Sequence, residues 1–125
     1  MEHRFEFKIY YEDTDSLGLV YYANYLRYLE RARTELVAAE GKPIQQWNAE
    51  GYNFAVYEVK IRYLKPARLG DVCEVVTKPT GGTEYRRTLA QNVVRGDETI
   101  TRATVHLVCL DDRLELTEFP PGIFD

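Results

Sequence analysis

At 125 residues, with 45% hydrophobic and 29% charged residues, the chain has the size and composition of one globular domain built around one core. Its net charge of −4, from 16 basic against 20 acidic residues, excludes broad nucleic-acid binding but leaves room for a local basic patch that holds a small polyanion. No run reaches the roughly 20 apolar residues of a spanning helix, and Met1–Phe5 lacks the pattern of a secretory leader, so a cytoplasmic protein without stable membrane insertion is expected.

Phe5–Tyr10 alternates as a short first strand, and the polar, glycine-containing stretch Glu12–Gly18 ends it. A helix of about 18 residues, or about 27 Å, follows. Tyr25, Leu29, Ala32, Leu36 and Ala39 repeat on one stripe of it, with Arg27, Glu30, Arg31, Thr34 and Glu35 opposite. Gly41-Lys42-Pro43 stops it, and Ile44–Glu50 reads as a short helical piece. The period then changes to two. In Phe54–Lys65, the residues Ala55, Tyr57, Val59, Ile61 and Tyr63 point one way and Glu58, Lys60 and Arg62 the other. Val72–Lys78 and Glu84–Arg95 are expected to be joined by a hairpin turn at Thr80-Gly81-Gly82-Thr83, and Gly96-Asp97 turns the chain into Thr99–Leu110. The order predicts an α+β domain of 1–125 in which one long helix meets an antiparallel sheet of about five strands.

Such a sheet is roughly 20 Å wide, whereas a helix is about 10 to 12 Å across. One helix therefore leaves much of the sheet uncovered. Ten tyrosines suit surfaces that are partly buried and partly wet, so a homodimer or larger assembly, with sheets continued edge to edge, is expected.

The chain is poor in catalytic residue types. Ser16 is the only serine and lacks a Gly-x-Ser-x-Gly setting. His3 stands near the terminus; His106 and Cys109, three apart on one strand, face opposite ways and cannot share an ion. Cys73 and Cys109 read as reduced core residues. What remains is Asp13-Thr14-Asp15-Ser16-Leu17-Gly18, just before the long helix. Taken alone this is a turn or a helix cap. Taken as chemistry, it sets a carboxylate beside free backbone N–H groups that stabilise a developing oxyanion. A thioester suits so spare a set, because a thiol of pKa about 8.5 leaves near neutral pH without a strong general acid, and an aspartate of reference pKa near 4 is ionised there. An amide would need a proton donor that the chain does not offer.

The run Tyr10-Tyr11-Glu12-Asp13-Thr14-Asp15-Ser16-Leu17-Gly18-Leu19-Val20-Tyr21-Tyr22-Ala23-Asn24-Tyr25, continued through Tyr28–Glu35, resembles hotdog-fold thioesterases of the 4-hydroxybenzoyl-CoA type, nearest their Tol-Pal-associated acyl-CoA thioesterase branch. Tyr63–Asp71 is similar as well. The resemblance implies a helix wrapped by a curved sheet, dimers that pair into tetramers, active sites at the subunit interface, an acyl-CoA substrate and no cofactor or metal. It gives the catalytic carboxylate to Asp15, a supporting or capping role to Asp13, and the polarising N–H to the helix start near Tyr22, where that branch commonly carries histidine. It places Gly18, Val20, Tyr21, Asn24 and Tyr25 around the substrate. For the phosphates of coenzyme A, Lys60, Arg62 and Arg68 are the candidates, with Lys65 and Arg86-Arg87 near them. Two other readings stay open: a hotdog hydratase or dehydratase using His106, and a non-catalytic module that binds acyl-CoA or a partner.

Overall fold

Strand alternation and helical periodicity place their elements as expected, and a computed structural model describes the whole chain, residues 1–125. The elements are β1 (His3–Lys8), a 3-10 turn (Tyr11–Asp13), α1 (Asn24–Ala39), α2 (Ile44–Ala49), β2 (Asn53–Tyr63), β3 (Val72–Thr83), β4 (Arg86–Arg95), β5 (Glu98–Leu110) and the two-residue β6 (Leu116–Thr117). Every pairing is antiparallel, in the order β1-β3-β4-β5-β2, with β6 added to the end of β5. The sheet thus has six strands rather than five, and α2 joins α1 as a second helix. β1 and β2 are the free edges of the long-strand path.

α1 lies on one face of the sheet, where Tyr28 stacks on Phe7 with ring centroids 4.2 Å apart. The core on that face includes Val75 of β3, Leu89 and Val93 of β4, and Val105 and Leu107 of β5, all buried. From Thr101 onward the odd-numbered residues of β5 face the buried side with α1, and His106 faces away from it, so His106 and buried Cys109 stand on opposite faces as their spacing predicts. Cys73 and Cys109 are both free and buried, and burial pushes the Cys73 thiol up to about 11.

Four expectations are corrected. The buried stripe of α1 comprises Tyr25, Tyr28, Leu29, Ala32, Arg33 and Val37, while Ala39 is exposed and Leu36 only partly buried. Arg33 is drawn inward because its Nη1 donates to Oε1 of buried Gln91 at 2.9 Å, and Gln91 donates in turn to the Leu29 carbonyl at 3.1 Å and Thr77 Oγ1 at 3.0 Å. Glu30 completes the network as the ion-pair partner of Arg33.

In β2, the register shifts between Val56 and Glu58, leaving Tyr57 as the extra residue of a bulge. Phe54 and Val56 therefore pair opposite Cys109 and Leu107, on the same face as Val59, Ile61 and Tyr63, whereas Ala55 turns to the outer face. Tyr57 meets His106 on that side, with ring centroids 5.8 Å apart.

The third correction concerns the hairpin. Thr80–Thr83 belongs to β3, which carries a second bulge between Pro79 and Gly81, and the turn is Glu84-Tyr85. Gly82 has φ +137°, and a Cβ there would lie 2.2 Å from the Arg86 carbonyl oxygen, so the glycine serves a close approach of two strands. The fourth concerns Arg87, which is buried and fastens the C-terminal segment instead of facing solvent. Its Nε donates to the Ile123 carbonyl at 2.9 Å, and its guanidinium lies 3.1 Å from the Asp125 carboxylate. Phe119 and Phe124 are buried with it.

Candidate active site

The segment between β1 and α1 is shaped by its own polar groups. Asp13 Oδ2 accepts the Tyr10 N–H at 2.9 Å, and the Asp13 carbonyl accepts both the Tyr21 N–H at 3.1 Å and Asn24 Nδ2 at 2.9 Å. Asp13 is thus a structural support, as expected. Gly18, at φ +75°, makes the turn that Asp15 closes. Asp15 is exposed, and its Oδ1 accepts the N–H groups of Leu17 at 2.8 Å and Leu19 at 3.2 Å, which fixes the carboxylate and leaves Oδ2 without a protein donor.

A second segment, from the end of β2 to β3, is sewn to the first. Val20 donates to the Ala67 carbonyl at 3.0 Å, Leu69 donates to the Gly18 carbonyl at 3.0 Å, and Leu19 bridges to Arg68. The Tyr25 hydroxyl accepts the Ala67 N–H at 3.1 Å, although burial raises the pKa of that hydroxyl. Tyr63–Asp71, distant in sequence, is therefore the other wall of the same structure.

Between the two walls lies a cleft of about 490 Å³ whose lining includes Asp15, Val20, Tyr21, Tyr22, Tyr25 and Tyr63. The tyrosine rings meet at angles: Tyr21 and Tyr22 have centroids 5.0 Å apart, Tyr22 and Tyr63 stand edge to face at 6.2 Å, and Tyr25 and Tyr63 are 5.6 Å apart. Such contacts hold an apolar wall without filling the cleft. The amides of Tyr22 and Ala23, at the start of α1, donate to no other group of the chain. Ala23 supplies no side-chain cap, so these donors face their surroundings unpaired.

The sequence-predicted residues divide accordingly. Asp15, Val20, Tyr21, Tyr22 and Tyr25 line one cleft. Gly18 and Asn24 shape its walls from behind, and Arg68 stands beside it through the Leu19 bridge with its side chain exposed. Lys60 and Arg62 lie on the outer face of β2, opposite Val59, Ile61 and Tyr63, and do not line the cleft. The cation that does is Lys65, paired with Glu98 at 3.0 Å. Leu19, Tyr63, Leu64 and Pro66 complete the lining without having been singled out for it, and Lys65 was named only beside the phosphate candidates. The similarity of the Tyr63–Asp71 stretch was the available signal, but strand alternation gives no hint of which loop it meets.

One ion pair supports the second wall. Asp71 Oδ2 accepts the Arg68 N–H at 2.8 Å and Arg95 Nη1 at 2.6 Å. Burial by itself would raise the Asp71 pKa, but the Arg68 amide and the Arg95 guanidinium outweigh it and hold the carboxyl below its ordinary value. A depressed folded-state pKa stabilises the fold above the unfolded value near 4, and that contribution is lost as pH falls through the folded value. For this partly exposed pair, Asp71→Asn is expected to cost about 1 kcal/mol at pH 7 and less at about pH 3, below the unfolded value, which thermal melts at the two pH values will test. An equal loss at both pH values would remove the ionic part of the account.

The sequence profile of the thioesterase-like superfamily matches residues 10–124. The chain belongs to this superfamily, and its fold is the hotdog fold. Among curated relatives, it is 37% identical over 109 residues to the acyl-CoA thioester hydrolase YbgC of Escherichia coli, covering 86% of this chain and 81% of that one. It is 33% identical over 121 residues to the acyl-CoA thioesterase YbgC of Haemophilus influenzae, covering 95% and 89%. Among solved structures, a probable thioesterase from Bartonella henselae superposes with a TM-score of 0.91 at 25% identity, covering 96% of this chain and 100% of that one. The 1,4-dihydroxy-2-naphthoyl-CoA thioesterase of Synechocystis, at 21% identity, shares the fold with a TM-score of 0.87 over 96% of this chain and 90% of that one.

Proposed function

We propose that Asp15 and the free amides at the start of α1 hydrolyse an acyl-CoA thioester to the free acid and coenzyme A. The chain is a thioester hydrolase by family, and the curated relatives that match most of its length are named for acyl-CoA. The observation that carries the catalytic assignment is the shared cleft. Asp15 holds one carboxylate oxygen on two backbone amides and keeps the other free, beside a helix start whose first N–H groups have no acceptor.

The Tyr22 or Ala23 N–H donates a hydrogen bond to the thioester carbonyl oxygen. Asp15 Oδ2 either takes a proton from the water that attacks the carbonyl carbon or attacks that carbon itself; negative charge gathers on the oxygen, the C–S bond breaks, and in the second case water then hydrolyses the mixed anhydride to the free acid and returns the carboxylate. The thiolate departs without a strong acid, and no cofactor enters the balance. Val20 and the tyrosines enclose the acyl group, with Gly18 and Asn24 holding their loop. Lys65 and Arg68 are assigned to the coenzyme A phosphates at the cleft, and Lys60 and Arg62 extend the basic surface along β2.

The cleft is open to solvent, and the edge strand β2 exposes Val56, Tyr57 and Tyr63. These features support a homodimer continued across that edge, with a tetramer as its pair and the sites at the interface. A single species of monomer mass by light scattering at micromolar concentration would end that part of the reading. No helix is long and apolar enough to cross a membrane, and two free, buried cysteines suit the reducing cytoplasm. The hydratase reading loses support because His106 bonds to Thr88 Oγ1 at 3.0 Å on the outer face, away from the cleft.

The test is thiol release from a panel of acetyl-, butyryl-, palmitoyl- and benzoyl-CoA. Hydrolysis of at least one, at a rate well above the spontaneous one, is expected. Tight binding of all four without turnover would instead make the chain a binding module.

A further inference from the structure

We infer that Glu98 is a specificity-determining residue of the cleft: clamped in place by Arg95, its carboxylate offsets the charge of Lys65 and weakens the site's hold on the phosphates of coenzyme A, in substrate and product alike. The inference rests on the reading of the chain as an acyl-CoA hydrolase with Lys65 at those phosphates.

Lys65 is the only cation that lines the cleft. Its Nζ donates to Glu98 Oε2 at 3.0 Å and to no other group of the chain, so two of its three N–H donors stay free for a ligand. Both side chains are exposed. An isolated pair of this kind contributes little and parts readily when a stronger anion arrives.

Glu98 is not isolated. Its Oε1 accepts Arg95 Nη2 at 3.1 Å, and the two residues stand directly opposite each other where β4 turns into β5. Arg95 Nη1 in turn donates to Asp71 Oδ2 at 2.6 Å and to the Pro66 carbonyl at 3.2 Å, and Pro66 is a wall residue of the cleft. The charged groups thus form one chain, Asp71, Arg95, Glu98 and Lys65, in which each cation is matched by a carboxylate. The bonds from Lys65 and Arg95 also hold the Glu98 carboxyl below its ordinary pKa, so it is charged throughout the neutral range. When Lys65 turns its free donors to a phosphate, that carboxylate remains beside it.

The consequence falls on binding rather than on chemistry. The phosphates of an acyl-CoA lie far from the reacting carbon, so contacts to them are the same before and during the reaction and act on KM. Product coenzyme A carries the same phosphates. A lysine without its counter-ion would retain the product as firmly as it attracts the substrate. With Glu98 beside it, the apolar, tyrosine-lined part of the cleft is left to distinguish one from the other.

Glu98→Gln and Glu98→Ala are each expected to lower KM for butyryl-CoA about three- to fivefold in low salt, measured by thiol release, and the calorimetric Kd of coenzyme A by a similar factor. At about 1 M salt, where charges are screened beyond about 3 Å, both gains should vanish. The butyryl thioester of N-acetylcysteamine, which has the same acyl group and no phosphate, should respond to neither substitution. A residue that merely aims Lys65 would behave otherwise. Glu98→Gln keeps an acceptor for the ammonium and would leave KM alone, whereas Glu98→Ala would raise it.

That pattern, an unchanged KM in both variants, or an equal fall in KM for the thioester without phosphates overturns the role of Glu98 and leaves acyl-CoA hydrolysis standing. Tighter binding of coenzyme A by both variants, with no turnover of any CoA thioester by the wild-type chain, removes the hydrolase reading and keeps Glu98 beside the phosphates. Absence of both turnover and coenzyme A binding removes the two together.

Discussion

Asp15→Asn is expected to lower kcat for the best CoA thioester by roughly 10²- to 10⁴-fold, the range associated with loss of a positioned base, while KM and the melting temperature stay close to wild type. The isolation of the effect follows from the geometry. Oδ1 accepts two backbone amides, from Leu17 and Leu19, and an asparagine carbonyl oxygen accepts both equally well. The loop therefore keeps its shape, and the substitution exchanges only the free oxygen for an amide NH₂, which neither attacks a carbonyl nor takes a proton from water. Thiol release under saturating substrate measures kcat directly. Equal hydrolysis by the two proteins would refute the assignment of Asp15. Asp13→Asn makes the contrasting case. Asp13 Oδ2 caps the Tyr10 amide and its carbonyl holds Asn24, so a structural effect without a specific loss of kcat is expected there.

The largest expected loss of stability belongs to Arg33→Ala, at about 3–4 kcal/mol. Leaving Oε1 of the fully buried Gln91 without a donor costs about 1–3 kcal/mol, and deletion of the buried aliphatic stem adds the remainder. At this size the melting temperature should fall by roughly 10–15 °C. The double variant Arg33→Met with Gln91→Leu removes both ends of the bond and fills the space, so it should recover part of the loss. Replacing both partners of a buried polar pair by apolar groups is often nearly neutral. Recovery is incomplete because Thr77 Oγ1 and the Leu29 carbonyl lose the Gln91 amide. Strictly additive losses across Arg33→Met, Gln91→Leu and the double variant would show that the two side chains do not act as a pair.

Arg33 also marks how far the sequence could be read. The spacing of Tyr25, Leu29 and Ala32 locates the buried side of α1, because periodicity follows from helix geometry alone. A buried arginine does not appear in such a pattern: its partner is Gln91 on β4, and a charge so distant in sequence gives no local sign of that pairing. The same holds at the hairpin. Gly81-Gly82 carries the composition of a turn, yet the bulge after Pro79 and the contact of Gly82 with the Arg86 backbone use the glycines within a strand. In β2, an extra residue at Tyr57 reverses the facing of Ala55, since strand parity is lost at a bulge.

Asp15 could be singled out as the candidate carboxylate because so few other groups in the chain can do chemistry, and because the residues around it resemble a known family. Its setting was not. The docking of Tyr63–Asp71 against Gly18–Val20, the place of Lys65 in the cleft lining, and the bond from Tyr63 to the Tyr22 carbonyl all join segments that are far apart in the chain. The sequence by itself determined the α+β class, the position of the long helix and the carboxylate before it, since these follow from local periodicity and residue type. Only the tertiary structure decided which face each strand buries, which loops form the cleft and which backbone donors remain free, because those depend on register and on contacts between distant segments.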